Sequence, residues 1–457
     1  MRTNPDNIKG NRILIVGLGR SGIAAVHAML DLGAVVSVQD DRERASFDPN
    51  FITYLENKEV TCWFHCLPED MGAYDMVILS PGVNPELPFI QEAKARGAEI
   101  TGELEIAFRI SRGEFIAITG TNGKTTTTTL VGEIFKESGR TTHVVGNIGT
   151  AVIGASETAD EDDWLVTECS SFQLETTRYF NPHVSAILNL TPDHLNRHHT
   201  MEAYGAAKAK IFANQTGEDF LVINYDDKLC YGLAEGAKCN VIPFSRKEEL
   251  ERGAFLKDGR IVIREKGVIY DICDPKDLKI IGDHNVENVL AASAIAFYAG
   301  IAPEVITRAV LDFGGVEHRI EYCGTVDGIK YYHDSKGTNI DAAVTALRAI
   351  RENIILIAGG DAKGQVFDEF IEAFQGSVKK MLVLGRDGHF ITEAADRCGF
   401  SDYIVCKDLP DCVKRAAAIA EPGDTVLLSP ACASWDMYDN YEQRGEHFKE
   451  CVRLLEE

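Results

Sequence analysis

Apolar and polar positions along this chain alternate between short β-branched runs and longer segments of helical period. Arg12-Ile13-Leu14-Ile15-Val16 reads as a buried strand, and the apolar spacing that follows predicts a helix up to Leu32. A second strand is predicted from Ala34 to Val38, ending at Asp40-Asp41, and another over Met76 to Leu79. Buried-strand patterns recur at Phe115–Ile118, Trp164–Val166, Val184–Leu188 and Phe220–Ile223. Between Phe244 and Ile281 the pattern changes to short alternating strands with turns such as Asp258-Gly259. An alanine-rich helix follows Asp283-His284-Asn285. After Gly314-Gly315, strands at Ile354–Ile357, Met381–Leu384 and Val426–Leu428 again alternate with helices. Strand–helix alternation of this kind predicts an α/β protein with mainly parallel sheets. Three domains are expected: a Rossmann-like block over 1–102, a central block with a mainly parallel sheet over 103–313, and a Rossmann-like block over 314–457.

At 457 residues the chain exceeds one ordinary core, and 45% hydrophobic with 25% charged residues is a globular composition. A formal net charge of −24 speaks against a nucleic-acid or anionic-membrane partner. The polar MRTNPDNIKGN start lacks a signal-peptide core, and no apolar stretch is long enough to span a bilayer. Twelve scattered cysteines then read as reduced thiols of a cytoplasmic protein. In CWFHC, Cys62 and Cys66 have no second ligand pair nearby, which favours apolar packing over a metal site.

The richest segment is FIAITGTNGKTTTTTL, from Phe115 to Leu130. A strand enters Gly120-Thr121-Asn122-Gly123-Lys124-Thr125-Thr126 and a helix leaves it, the layout of a phosphate-gripping loop, so the central block is expected to be a P-loop-type ATPase domain. Lys124 can reach terminal phosphates and the Thr125 hydroxyl can ligate Mg²⁺. The spacing is a shortened G-x-x-G-K-T, since Ile118 stands where the usual motif has its first glycine. Glu168, at a strand end, suits a Mg²⁺ ligand, although a helix-start acid is an equal reading in isolation. Among the histidines near residue 194, no H-E-x-x-H is present, so zinc is disfavoured; His194 is the economical Mg²⁺ or substrate contact, with the others at the surface. By helical pattern alone, Lys208 is a solvated lysine. Gly17-x-Gly19-x-x-Gly22, with Asp40 or Asp41 behind it, can hold a diphosphate; no hydride-transfer site accompanies it, so a UDP-linked molecule suits it better than a nicotinamide. Arg319, Lys336 and Lys363 are loop cations beside strand ends, which favours an anion-binding face.

These motifs together resemble the Mur ligase family: TGTNGKTTT, ECSSFQLE, NLTPDHLNRH, AAKAKIF, GDHNVEN, EHRIE, HDSKGTN, GGDAKG and SPACASWDMYDNYEQRGEHF. Several are shared with folylpolyglutamate synthetases; HDSKGTN, GGDAKG and SPACAS with YEQRG resemble the D-glutamate-adding branch. The resemblance implies ATP-driven amide formation between UDP-N-acetylmuramoyl-L-alanine and D-glutamate, through an acyl phosphate. It implies two Mg²⁺ ions and an N6-carboxylated Lys208, reversing the pattern-based reading of that residue. It also implies Lys124, Lys208, His194 and Lys336 as catalytic groups, with Thr125, Glu168, His194 and Lys208 at metal. Gly120 to Thr126, Asn288, Arg319 and Asp334 would hold ATP. Gly17, Gly19, Ser21, Gly22, Asp41, Arg42, Ser80, Gly82 and Asn147 would hold the UDP-substrate, and Thr338, Lys363, Ser434 and Tyr441 D-glutamate. Asn196 and His199 depart from an aspartate and a glycine common in the family. The expected protein is a monomer acting on small molecules. An NAD-dependent oxidoreductase and a non-catalytic nucleotide-binding module are the readings from other classes.

Overall fold

The computed structural model describes residues 8–455. Three sheets carry the chain. The first is wholly parallel, in the order β3-β2-β1-β4-β5, from β1 (Arg12–Val16), β2 (Val35–Asp40), β3 (Thr61–Phe64), β4 (Met76–Leu79) and β5 (Glu99–Gly102). The second comprises β6 (Glu114–Thr119), β7 (Thr142–Gly146), β8 (Trp164–Glu168), β9 (Val184–Ile187), β10 (Phe220–Asn224), β11 (Asn240–Ser245), β12 (Gly253–Lys257), β13 (Arg260–Glu265) and β14 (Val268–Cys273). Its order is β14-β13-β12-β11-β10-β9-β6-β8-β7, parallel except for the β12-β13-β14 meander. The third runs β15-β16-β20-β17-β18-β19, from β15 (Glu321–Val326), β16 (Ile329–His333), β17 (Ile354–Gly359), β18 (Val378–Leu384), β19 (Tyr403–Val405) and β20 (Thr425–Leu428), with only the β15–β16 pair antiparallel. Continuous apolar runs such as Phe115–Ile118 become central strands because both sheet faces are covered, and these four side chains are fully buried.

The chain forms two compact units, 8–278 with 286–312, and 279–285 with 313–455. Within the first, one hydrophobic cluster runs through both sheets, from Ile13 and Val38 to Leu165 and Leu221. The helix Glu103–Ile110 explains this continuity, because every one of its residues is buried. Its Glu105 carboxylate is also fully engaged: it accepts from Arg109 and from the amides of Arg178, Tyr179 and Phe180 at 2.8–3.1 Å. Parallel sheets place their working loops at the strands' carboxyl ends. Those loops carry nearly every residue singled out in the sequence.

Candidate active site

The phosphate loop leaves β6 at Thr119 and feeds the helix Lys124–Glu137. Gly123 is left-handed (φ 81°), and a Cβ there would sit 2.3 Å from Asn288 Oδ1, so both backbone and space demand glycine. Thr127 Oγ1 donates to the same Asn288 oxygen at 3.3 Å. Asn288 therefore packs against the loop. Asn189, assigned no role in the sequence analysis, holds the loop from the other side. Its Oδ1 accepts from the Thr121 and Asn122 amides at 3.0 and 2.8 Å, and its Nδ2 donates to Asn122 O at 3.0 Å.

Two lysines converge on one carbonyl. Lys124 Nζ donates to Gly120 O at 3.0 Å and Thr121 O at 2.8 Å, while Lys208 Nζ donates to Gly120 O at 2.8 Å. Lys208 lies at 1% exposure in the helix Met201–Ala209, its ammonium 4.5 Å from the Tyr204 ring centre. The solvated-lysine expectation from pattern is thus corrected: that helix turns Lys208 onto the carboxyl end of β6. Burial, and then the Lys124 charge, push Lys208 down to about 7.

Glu168 ends β8, in register with Ile118 and with Gly146. Asn147 Nδ2 donates to its Oε1 at 3.0 Å, whereas Oε2 is buried with no protein partner. A buried carboxylate oxygen left without a donor fits a cation at this position. His194, left-handed at φ 54°, is half exposed and pairs with Asp193 at 3.4 Å, its ring 4.8 Å from Phe172. Its neighbour His198 is buried, hydrogen-bonded to Ser171 Oγ at 2.9 Å and 3.3 Å from Glu175, which corrects the surface expectation for it. His199 is exposed, and the Asn196 side chain lies outside the described residues.

In the first sheet, Ser80 Oγ donates to Gly17 O at 2.7 Å, and a Cβ at Gly22 would meet that carbonyl at 1.9 Å. Gly19 and Gly82 face open space, and Ser21 lies in the first turn of the helix Arg20–Asp31 beside them. The acid that shapes this loop is Asp40, not Asp41. Asp40 accepts from the Leu18 amide at 2.6 Å and from Arg42 Nε at 2.9 Å. Burial alone would raise its carboxyl, but Arg42 and the Leu18 and Arg42 amides outweigh burial and bring it to about 2. Asp41 is exposed and accepts from Gln39 at 2.9 Å. In CWFHC, Cys66 is exposed, so packing accounts for the half-buried Cys62 alone.

Within the C-terminal unit, Asp334 follows β16, fully buried, and burial, partly opposed by Arg319, raises its carboxyl to about 7. Arg319 Nε is buried without a partner. The Lys336 amide donates to His318 O at 3.0 Å, and its ammonium stands 5.8 Å from the Tyr441 ring centre. Thr338 continues the same turn, its amide donating to Lys336 O at 2.9 Å. Lys363 is left-handed (φ 50°), with its ammonium 4.7 Å from the Trp435 ring centre, and Ser434 is buried next to Trp435. Arg444, noted in the sequence only as part of YEQRG, ties these loops together. It donates to Ser335 Oγ at 3.0 Å, Ser335 O at 2.8 Å and Cys432 O at 3.1 Å, and Ser335 Oγ donates to Tyr441 O at 2.8 Å. Among the described residues, the trios of His and acid groups whose ligand atoms lie within 4.8 Å are His318–Glu321–His333 and Glu317–His318–Glu446, not a set containing Glu168. There the Lys449 ammonium already serves as the cation, 2.8 Å from Glu317, 3.2 Å from Glu321 and 2.5 Å from Glu446.

Three family models match successive parts of the chain: the Mur ligase MurD-like N-terminal domain over 11–102, the Mur ligase middle domain over 118–296, and the Mur ligase glutamate ligase domain over 318–432. The chain belongs to the Mur ligase family. As a Mur ligase it has curated relatives along its whole length. It is 47% identical over 98% of this chain and 99% of its counterpart to the UDP-N-acetylmuramoylalanine–D-glutamate ligase of Alkaliphilus oremlandii. It is 46% identical over 98% of this chain and 100% of its counterpart to the enzyme of that name in Clostridioides difficile. Among solved structures, the UDP-N-acetylmuramate-alanine ligase of Thermotoga maritima shares the fold at a TM-score of 0.59 and 22% identity, covering 97% of this chain and 99% of that one.

Proposed function

We propose that this Mur ligase adds D-glutamate to UDP-N-acetylmuramoyl-L-alanine, with ATP hydrolysed to ADP and phosphate. The observation that carries this reading is the full-length similarity to relatives bearing that name, at 43–47% identity. In this reading residues 1–102 bind the UDP-substrate, 103–313 bind ATP and 314–457 bind D-glutamate. The alanyl carboxylate attacks the γ-phosphorus of ATP and ADP leaves. The D-glutamate amine, having lost a proton, then attacks the acyl-phosphate carbonyl and inorganic phosphate departs, leaving the amide. Every reactant is anionic, so binding requires fixed cations at the reacting centre.

Lys124 and the amides of Gly120 to Thr126 would hold the terminal phosphates, and Asn288, packed on Gly123, the adenine side. Arg319, Lys336 and Asp334 would meet the nucleotide and the intermediate. Gly17, Gly19, Ser21, Gly22, Asp41, Arg42, Ser80, Gly82 and Asn147 would receive the UDP-substrate; Thr338, Lys363, Ser434 and Tyr441 would receive D-glutamate. Thr125, Glu168, His194 and a carboxylated Lys208 would bind two Mg²⁺ ions, which supply charge neutralisation at the transferring oxygens. The orphan Glu168 Oε2 supports a cation there. The lowered Lys208 pKa supports carboxylation: a neutral amine adds to CO₂, releases a proton and becomes a carbamate anion, converting a cation into an oxygen ligand. Purified protein should release phosphate from Mg–ATP only when UDP-N-acetylmuramoyl-L-alanine and D-glutamate are both present. Turnover with diaminopimelate or lysine, and none with D-glutamate, would overturn the proposal.

A further inference from the structure

Arg20 opens the helix that follows Gly17-x-Gly19, within the loop proposed to take the diphosphate, and its side chain is exposed there. Its guanidinium crosses to the neighbouring block. Nη1 donates to Gly149 O at 2.7 Å, and Nη2 makes a longer contact to Gly146 O at 3.5 Å. No carboxylate lies within ion-pair distance of Arg20 among the described residues. A guanidinium carries five N–H donors in a planar fork, so the remaining ones stay available to an anion on the loop side.

The two carbonyls belong to one tight turn. The Gly146 amide donates to Thr150 O at 3.0 Å, and the Asn147 amide to Glu168 O at 3.0 Å. A Cβ at Gly146 would strike Glu168 O at 2.3 Å, and one at Gly149 would lie 2.9 Å from Val144 O. The far end is fastened too, because Glu103 Oε1 accepts from the Ile153 amide at 2.6 Å at the start of the next helix. The turn is therefore braced at both ends, and what it carries is Asn147, whose Nδ2 holds Glu168 Oε1.

We infer that Arg20 is a positioning residue that couples occupancy of the diphosphate loop to the placement of Glu168. This rests on the proposed UDP-substrate site. A diphosphate engaging the free edge of the fork orders an exposed side chain in the pose that already grips the Gly146–Thr150 turn, so the cation site forms at lower entropic cost. Linkage makes the effect reciprocal: the UDP-substrate and a Mg–nucleotide should each tighten the other equally.

Titration calorimetry of the full chain tests this, with UDP-N-acetylmuramoyl-L-alanine and a Mg-bound non-hydrolysable ATP analogue, each measured with and without the other. In the wild-type protein the first ligand should tighten the second by about fivefold or more. Arg20→Ala should weaken the UDP-substrate and reduce the mutual effect to within about twofold. Arg20→Lys is the sharper variant: a point charge restores much of the UDP-substrate affinity but cannot bridge phosphate and turn, so the coupling should stay lost. Undiminished coupling in Arg20→Ala, or full recovery of coupling in Arg20→Lys, would overturn the inference, as would wild-type protein that binds both ligands independently. Failure of the wild-type protein to bind the UDP-substrate at all would instead overturn the substrate reading and the inference with it.

Discussion

Gly120 O accepts from two lysines whose fates diverge in the proposed chemistry. Lys124 stays a cation for phosphate, while Lys208 is discharged by burial and by Lys124. Because its folded pKa lies below the ordinary lysine value, the unfolded chain binds more protons between about pH 7 and 10.5, and this lysine adds stability as pH rises through that window. Below pH 7 it is mainly ammonium and cannot add CO₂. Activity should therefore depend on bicarbonate and fall as pH drops from 8 to 6, in phosphate-release assays in degassed and bicarbonate-supplemented buffer. Lys208→Ala should lose about 10²–10³-fold in kcat, with partial rescue by short carboxylic acids; an unaffected variant would remove the carbamate from the mechanism. At Gly123, alanine meets both a left-handed φ and the Asn288 oxygen at 2.3 Å. Strain of about 1–3 kcal/mol is expected there, read as nucleotide affinity weakened about tenfold or more with UDP-substrate affinity unchanged.

Elements join at buried charges, and Asp40 is the clearest case. It fastens the end of β2 to the loop after β1 through the Leu18 amide and Arg42. With its folded pKa at about 2 against an ordinary 3.8, its contribution is full above about pH 4 and is lost as pH falls towards 2. Asp40→Asn should cost about 1.5–3 kcal/mol in urea unfolding at neutral pH. The difference from wild type should shrink as pH approaches 2; a constant gap would mean that shape rather than charge is being lost. The strands were legible in the sequence because buried parallel strands are written as apolar β-branched runs. The glycine loops were legible because few residues tolerate such turns. Which of Asp40 and Asp41 turns inward was not, since that depends on the strand's pleat at its last residue. Lys208 and His198 were misread for a related reason. Their helices carry weak amphipathic patterns, and what buries them, the Gly120 carbonyl and Ser171, lies 88 and 27 residues away in the chain.

Over the whole molecule, the three sheets lie within 12–102, 114–273 and 321–428, while the compact units number two. The first two sheets share one apolar cluster through the buried helix Glu103–Ile110, while the third has its own clusters, built on Leu356, Phe370 and Val383 and on Ile357, Leu409 and Phe448. That sharing was hidden in the sequence because the helix carries Glu103, Glu105 and Arg109, charged side chains that read as a solvated face although all three are buried. A segment that also escaped the pattern is 279–285, which belongs with the C-terminal unit although its neighbours on both sides do not. A chain ended after Asp312 should accordingly fold alone, because the cluster shared by the first two sheets lies within it. Its circular-dichroism melt should show a single cooperative transition, and calorimetry should show the UDP-substrate binding within a few-fold of the full chain. It should release no phosphate with ATP, UDP-substrate and D-glutamate, because Asp334, Lys336, Thr338 and Lys363 are gone. A fragment that folds but ignores the UDP-substrate would move that site out of the first unit. A fragment that ligates would mean the third sheet is not needed for the chemistry.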